Sequence, residues 1–591
     1  MNRRTLIPLG MCLLLVSICG CRGQQAQPED RIFDDETVKF FSELDTHALR
    51  TLAAQYGGRK AGALDSAASD TIQQITGSET PDGIHATAAY LEFYFNAGKY
   101  LSKPIIFVRS NKIRRVVSDN LDGKNLEVFK RTSRIAPAAI MLGSGESLMA
   151  MVQQNPYVRQ MVMAGRISID DVRVTKPIGT LGDRWGRLLE QEAFRIPISR
   201  LSRRYDAFVS IELRLMPNLV PAAGDDPAAV EAWINTSDLL IAARGQAPSP
   251  EGKRIVNLRE AWIQRDASKV NEIISEIAVA GAAADGYPSP ERLTWELRYN
   301  DMDKGHPAFA GFVVAFVMFI IVIATGNRWL RAGAMAIMTV STVFIGGAWV
   351  LRWIVGGEAW YLPPMMSQYG ALVSSAVLAA VLAIIIELFK KYNYIALAAC
   401  FYAAAVLVWV YFGNVLFPGK VDSSIGGVRG ILKNSLMIVH VSVIVVGHAL
   451  AGMTVVTSAA YVLIACFKGL DGKASSSPPG LFGPVGDSAL ASADRCNLIL
   501  AQGACWTLIV GTLLGAWWAD RAWSRWWGWD PKETWALITC LFFLAVLHVR
   551  LVTSSRHRGL LTAVACILGG IAMLFNWFAV NYLFSGLHSY G

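Results

Sequence analysis

From Ala308 to its last residue the chain consists of long apolar segments joined by short, mostly basic connections. Crossing the ~30 Å hydrocarbon layer of a bilayer takes about 20 apolar residues in a helix, and lipid offers the backbone no partner outside one. Eight segments meet that length: 308–325, 332–354, 369–388, 394–413, 434–466, 497–518, 534–552 and 559–583. The expected fold is a polytopic α-helical membrane protein. Residues 22–305 are patterned differently, with charges throughout and only short apolar stretches, as in a separate water-facing domain. There Phe208-Val209-Ser210-Ile211-Glu212-Leu213 and Thr294–Tyr299 alternate like strands, and Leu258–Ala280 has helical spacing, so a mixed α+β domain is expected.

The first 21 residues read as a targeting segment. Arg3 and Arg4 precede an apolar run, Leu6 to Ile18, which ends in Cys19-Gly20-Cys21. Cys21 is the candidate lipidated residue of a lipoprotein-type signal, and an uncleaved anchor is the other reading. Either puts residues 22–305 outside the cytoplasm. The membrane connections then fall on the inner side where positive charge is expected: Arg328 and Arg331, Lys390 and Lys391, Lys468 to Arg495, and Arg550 to Arg558. The protein is accordingly expected in the bacterial inner membrane, with its first domain and its C-terminus periplasmic. A net charge of +9 without a Lys/Arg-rich run fits such loops and excludes a nucleic-acid binder. The nine cysteines form neither CxxC nor CxxCH, so the chain carries no zinc knuckle and is not itself a c-type cytochrome.

The loop expected after the sixth span is unusual. Residues 517–535 hold seven indoles, Trp517, Trp518, Trp523, Trp526, Trp527, Trp529 and Trp535, interleaved with Arg525, Asp530, Lys532 and Glu533. A plain interfacial belt has no use for those charges. A flat, apolar, anionic ring system would use both, stacking on indoles and pairing its carboxylates with Lys, Arg or indole N–H. The run Trp527-Gly528-Trp529-Asp530-Pro531-Lys532-Glu533-Thr534-Trp535-Ala536, with Trp518-Ala519 and Ala522-Trp523 before it, resembles the tryptophan-rich (WWD) loop of CcsA/ResC-type cytochrome c biogenesis proteins of System II. Ser524 departs from that pattern, where Gly is usual, and so does Trp526, where Tyr is frequent. Gly57-Gly58-Arg59-Lys60 resembles the extracytoplasmic region of fused members of the same family.

The resemblance implies haem b as the bound and transported cofactor, with Trp523, Trp527, Trp529 and Asp530 as platform and orienting group. Lys532 and Arg525 would face the propionates. It also implies that His440 and His588 are external axial ligands of the iron and that His548 is a haem ligand within the membrane. Topology independently puts His440 and His588 on the side of the tryptophans and puts His548 near the opposite face. Imidazole is a natural axial ligand, and ionisable residues inside a membrane tend to be functional. His448 is expected to pack or make a polar helix contact. His47, His85, His306 and His557 receive no role.

The function expected from this is haem movement from the cytoplasmic side to a periplasmic site, for thioether attachment to the CxxCH of apocytochrome c. The protein would be a component of a haem lyase. A ResB-type membrane partner would supply the missing intramembrane ligand, and thiol-reducing proteins would act indirectly. The rival readings are a membrane transporter and a haem-b electron-transfer subunit whose tryptophans form an interfacial belt.

Overall fold

The computed structural model describes residues 28–584 except 56–60, 120, 122, 138–200, 202–203, 206, 209–210, 212–218, 222–232, 235–248, 284–286, 357–360, 417–420, 422–424, 426–431, 433, 469–488 and 554–556. Cys21, His588, the 57–60 motif and most of the strand expected at 208–213 lie outside the described residues. The chain forms two compact units. The first comprises the described parts of Met1–Leu52, Ala67–Asp225 and Ala232–Ala284, and the second those of Ala53–Ser66 and Asp285–Gly591. The contact boundary therefore falls at Asp285, ahead of the compositional boundary at His306.

The first unit is mainly helical, and its strands among the described residues are two-residue pairs, Ile106–Phe107 with Arg134–Ile135 and Val220–Pro221 with Trp233–Ile234. Phe208 and Ile211 are helical, against the alternation that suggested a strand. The helical stretch expected at 258–280 is two helices, Pro250–Ile263 and Ala267–Ala282, which meet at Arg265 with a left-handed φ of 60°. Their junction holds a buried polar group. Glu92 Oε2 accepts from Trp262 Nε1 at 2.8 Å and from the Arg265 guanidinium at 2.6 Å, while Oε1 accepts from Tyr100 Oη at 2.9 Å. Burial alone would raise the Glu92 carboxyl, but the bonds and charge of Arg265, with Trp262 and Tyr100, hold it below its ordinary value. Phe40 and Phe95 pack on Trp262 around this pair.

In the second unit a two-stranded hairpin pairs Ala53 with Ala63. Its Ala63 N–H donates to Glu296 Oε2 at 3.2 Å, and Ser66 donates to Glu296 Oε1 at 2.6 Å. Glu296 sits on a helix, Pro290–Asp301, where alternation had suggested a strand. The start signal decides: Ser289 caps the Arg292 N–H, Pro290 follows it, and Leu293, Glu296 and Leu297 share one buried face.

Among the described residues, eight helices long and apolar enough to cross a membrane follow. They are α1 His306–Thr325, α2 Arg328–Gly356, α3 Gln368–Lys390 and α4 Tyr394–Leu416, then α5 Ser435–Lys468, α6 Ala489–Trp523, α7 Pro531–Val552 and α8 Arg558–Leu574. A π-helical turn, Phe575–Ala579, continues α8 into a last helical turn, Val580–Leu583. Each expected span is present. α5 is a single helix of 34 residues, longer than a crossing requires. It packs on α6 through glycines, since a Cβ at Gly447 would meet Leu508 Cδ2 at 2.9 Å and one at Gly511 would meet Ile444 Cδ1 at 2.6 Å. Without a hydrophobic drive between helices in lipid, small residues that let backbones approach supply the attraction.

Ion pairs staple one end of this bundle. Arg331, at the start of α2, reaches Glu387 near the end of α3, and Arg550 of α7 holds Asp494 of α6 with two bonds of 2.7 and 2.9 Å. Each carboxylate is taken up by a guanidinium, as burial in an apolar environment demands.

Candidate functional site

The tryptophan-rich stretch stands at the other end of the bundle, and only its middle is loop. α6 runs on to Trp523, five residues past the end expected for the span, so Trp517, Trp518 and Trp523 are helical. The helix stops at Ser524, whose φ of 55° is left-handed. Glycine takes that conformation without strain, and a serine takes it only at a cost. A second left-handed residue, Trp529 with φ 56°, precedes the next helix, and a bulky side chain in this region is strained.

The strain is held by a capping box. Asp530 accepts from Lys532 N at 3.0 Å and starts α7, with Pro531 at its first position. Glu533 reaches back, accepting from Gly528 N at 2.7 Å and Asp530 N at 3.3 Å. Such a cap contributes about 1 kcal/mol and fixes the chain's entry to the helix. Asp530 thus caps α7, and Glu533 ties the backbone of the turn. Arg525 folds over Gly528, filling the space a Cβ there would take, and lies 6.0 Å from the Trp523 ring.

The rings divide into two sets. Trp518 is buried among Leu432, Met437 and Ala519, with Trp523 edge-on at 4.9 Å. Trp535 packs on Phe575 at 4.1 Å. Trp527 and Trp529 meet edge to face at 6.0 Å, and Trp529 (71% exposed) and Trp526 (56%) present open faces. Trp517 is exposed beneath Arg521.

His440 lies in the second turn of α5, at this same end. Met437 and Val441 beside it pack into the Trp518 cluster. Its Nδ1 is 2.7 Å from Gly511 O of α6, and a Cβ at Gly515 would come within 2.6 Å of its Cε1. A carbonyl only accepts, so Nδ1 carries a proton, and in the neutral ring the lone pair is then on Nε2, the form in which imidazole binds a metal.

His448, two turns on, is buried and stacks on Trp577 at 4.5 Å and 17°, the packing role expected of it. Lys532 does not face outward. Its ammonium donates to Asn576 O at 3.1 Å and to Asn581 Oδ1 at 2.8 Å, and Asn581 Nδ2 donates on to Gln368 Oε1 at 3.2 Å. This amide network escaped the sequence reading, although two asparagines in an apolar span were a usable signal.

His548 is 17 residues along α7 from Pro531, about 25 Å at ~1.5 Å per residue, which puts it at the end of the bundle away from the tryptophan turn. It is exposed on the outer face of α7, with Nδ1 2.9 Å from Leu544 O of its own helix. His306 is paired with Asp303 at 2.9 Å and stacked on Tyr411. Among the described residues no group of three His, Cys, Asp or Glu could hold a bare metal ion.

The Cytochrome C assembly protein family matches residues 365–588, the region holding His440, His448, His548 and the tryptophan-rich stretch. A cytochrome c biogenesis protein CcsA from Synechococcus sp. (strain CC9902) is 30% identical over 302 residues, covering 48% of this chain and 95% of the relative. The chain belongs to the CcsA family. It is a multi-pass membrane protein of cytochrome c biogenesis. A CcsA protein of Prochlorococcus marinus (strain MED4) is 28% identical over 92% of its own length. Protein NrfI of Wolinella succinogenes is 25% identical over 61% of this chain, more than the half that lies beyond His306, and this chain spans 38% of its length. Similarity to NrfI thus reaches into the region ahead of the membrane helices, which CcsA relatives of about 300 residues leave largely unmatched.

Proposed function

We propose that this CcsA-family protein takes up haem at the His548 end of the bundle and holds it at the tryptophan-rich end, where it is attached to an apocytochrome c. The observation that carries the reading is the fixed tautomer of His440: its Nδ1 is committed to Gly511 O, so Nε2 is the ligating nitrogen. In the tryptophan turn, the open face of Trp529 with Trp527 edge-on to it suits a porphyrin plane, and Arg525 and Arg521 are cations available for its carboxylates once Lys532 is bound inward. His588 supplies the second axial ligand. The haem is the substrate, and its vinyl groups are the reacting atoms. Each cysteine thiol of CxxCH adds across a vinyl group, sulfur to the α carbon and hydrogen to the β carbon, with no net electron transfer. Two imidazoles would hold the iron low-spin and tune its potential, with an external reductant supplying the electron for the reduced haem that the addition requires, until the histidine of CxxCH displaces one of them. The protein contributes orientation and ligation.

Positive-inside connections support an inner-membrane orientation with the tryptophan end and residues 22–305 outside the cytoplasm. Cys21 is the proposed lipidation site. The exposed face bearing His548 supports a ResB-type partner, since a second axial ligand there has to come from outside this bundle.

An absorption spectrum of the detergent-purified protein tests the site, with wild type beside a His440→Ala/His588→Ala double variant. The expected result is a bis-histidine haem b signal that the double variant loses or makes dependent on added imidazole. No haem in the wild type overturns the reading. A signal that survives the double substitution but not His448→Ala favours an electron-transfer subunit instead.

A further inference from the structure

One place in the membrane core combines a helix irregularity with a group of amides. α8 widens into the π turn Phe575–Ala579, in which Asn576 and Trp577 are buried. A π turn carries one residue more than the α-helical turn it replaces, and it is found mostly where function retains it. Three contacts leave it. Trp577 stacks on His448 of α5, two turns along the same helix from His440. Asn576 O and Asn581 Oδ1 take up the ammonium of Lys532, which stands two residues beyond Asp530 in the tryptophan turn. Asn581 also holds Gln368, the first residue of α3, and its own turn at Trp577 O, 2.6 Å away. Asn576 Oδ1 and Gln368 Nε2 have no hydrogen-bond partner among the described residues. The chain that leaves this turn reaches His588 eleven residues past Trp577.

An apolar, regular α8 would be the cheaper way to fill this position. An extra residue, a buried ammonium and two unpaired amide atoms are local faults of the kind that proteins retain at functional sites. What these faults touch is informative: the helix of the proposed first ligand, the tryptophan turn, and the segment leading to the proposed second ligand.

We propose that the π turn is the positioning element of the outer haem site, with Trp577 and Lys532 as its positioning residues. Trp577 sets the placement of α5 through His448. Lys532 sets the placement of the tryptophan turn. The extra residue sets the rotational phase of Val580–Leu583. Removing it returns the helix to α phase and turns that segment by about 100° around the axis. The inference rests on the haem-holding reading above.

The test uses the full-length protein purified in detergent: wild type, Trp577→Leu, Trp577→Phe, Lys532→Met and a deletion of Ala579. The readouts are spin state with and without imidazole, and the midpoint potential of the haem. Trp577→Leu, Lys532→Met and the deletion are expected to retain haem but convert at least half of it to a five-coordinate high-spin form. Imidazole should return that form to low spin. Trp577→Phe, which keeps an aromatic face on His448, should restore the wild-type spectrum. Spectra and potentials equal to wild type in both Trp577→Leu and Lys532→Met overturn the proposal. So does loss of both variants from the membrane, which assigns the turn to folding alone. Haem that is absent in wild type, or indifferent to His440→Ala, overturns the haem-holding reading itself and this proposal with it.

Discussion

The two ends of the bundle treat a histidine in opposite ways. At the tryptophan end, His440 is partly buried, pinned by a carbonyl of the neighbouring helix and pressed against Gly515. At the far end, His548 stands on the outside of α7, and among the described residues its ring contacts its own helix, at Leu544 O. The polar groups near it, Arg550 and Asp494, are occupied with each other. One histidine is therefore oriented before any ligand arrives. The other stands exposed, on the face where the proposed ResB-type partner would meet it.

The largest effect expected of any variant is that of His440→Ala. Loss of a partner behind a metal-bound histidine costs roughly 10–100-fold in affinity, and loss of the ligand itself should exceed that. Assembled cytochrome c, measured by haem stain, should fall below a tenth of wild type, and normal assembly would break the contrast between the two ends.

Gly515→Leu comes next, because it leaves the histidine in place and spoils only its seat. Overpacking at such a contact costs about 1–3 kcal/mol, and haem retention on purification should drop accordingly. Retention equal to wild type would mean that the close approach of α6 is not what holds the ring.

His548→Ala should do less to the isolated protein. Being exposed, it should leave thermal stability within about 0.5 kcal/mol of wild type and leave unchanged the spectrum of haem added to purified protein, while lowering the haem content of protein taken from cells. A lost spectrum in the added-haem experiment would make the two ends alike.

The smallest effect is at Ser524. Gly in a left-handed position relieves strain, so Ser524→Gly should be neutral or stabilise by up to about 1 kcal/mol, whereas Ser524→Val should destabilise by more. A destabilising Ser524→Gly would mean that the serine side chain has a role that its backbone angle hides.

The membrane fold was legible because apolar length is a coarse and durable signal, and each expected span appears with ends shifted by a few residues. The α6 terminus was misplaced for a physical reason. Trp517 to Trp523 look like loop by composition, yet alanines and long side chains sustain a helix until a left-handed residue ends it at Ser524. Thr294–Tyr299 failed differently, since its alternation also fits one helical face and the Ser289-Pro290-Glu291 start signal outranks it. The histidines and indoles could be read as candidates by type. The inward turn of Lys532 could not, because its partners at 576 and 581 are brought to it only by the packing of α7 on α8.

The bond from His440 to the Gly511 carbonyl has a kinetic consequence. When that ring is neutral, the bond keeps its one proton on Nδ1, so the lone pair stays on Nε2 and no tautomeric exchange has to precede binding there. The reorganisation that a freely rotating imidazole would need is built into the contact between two helices.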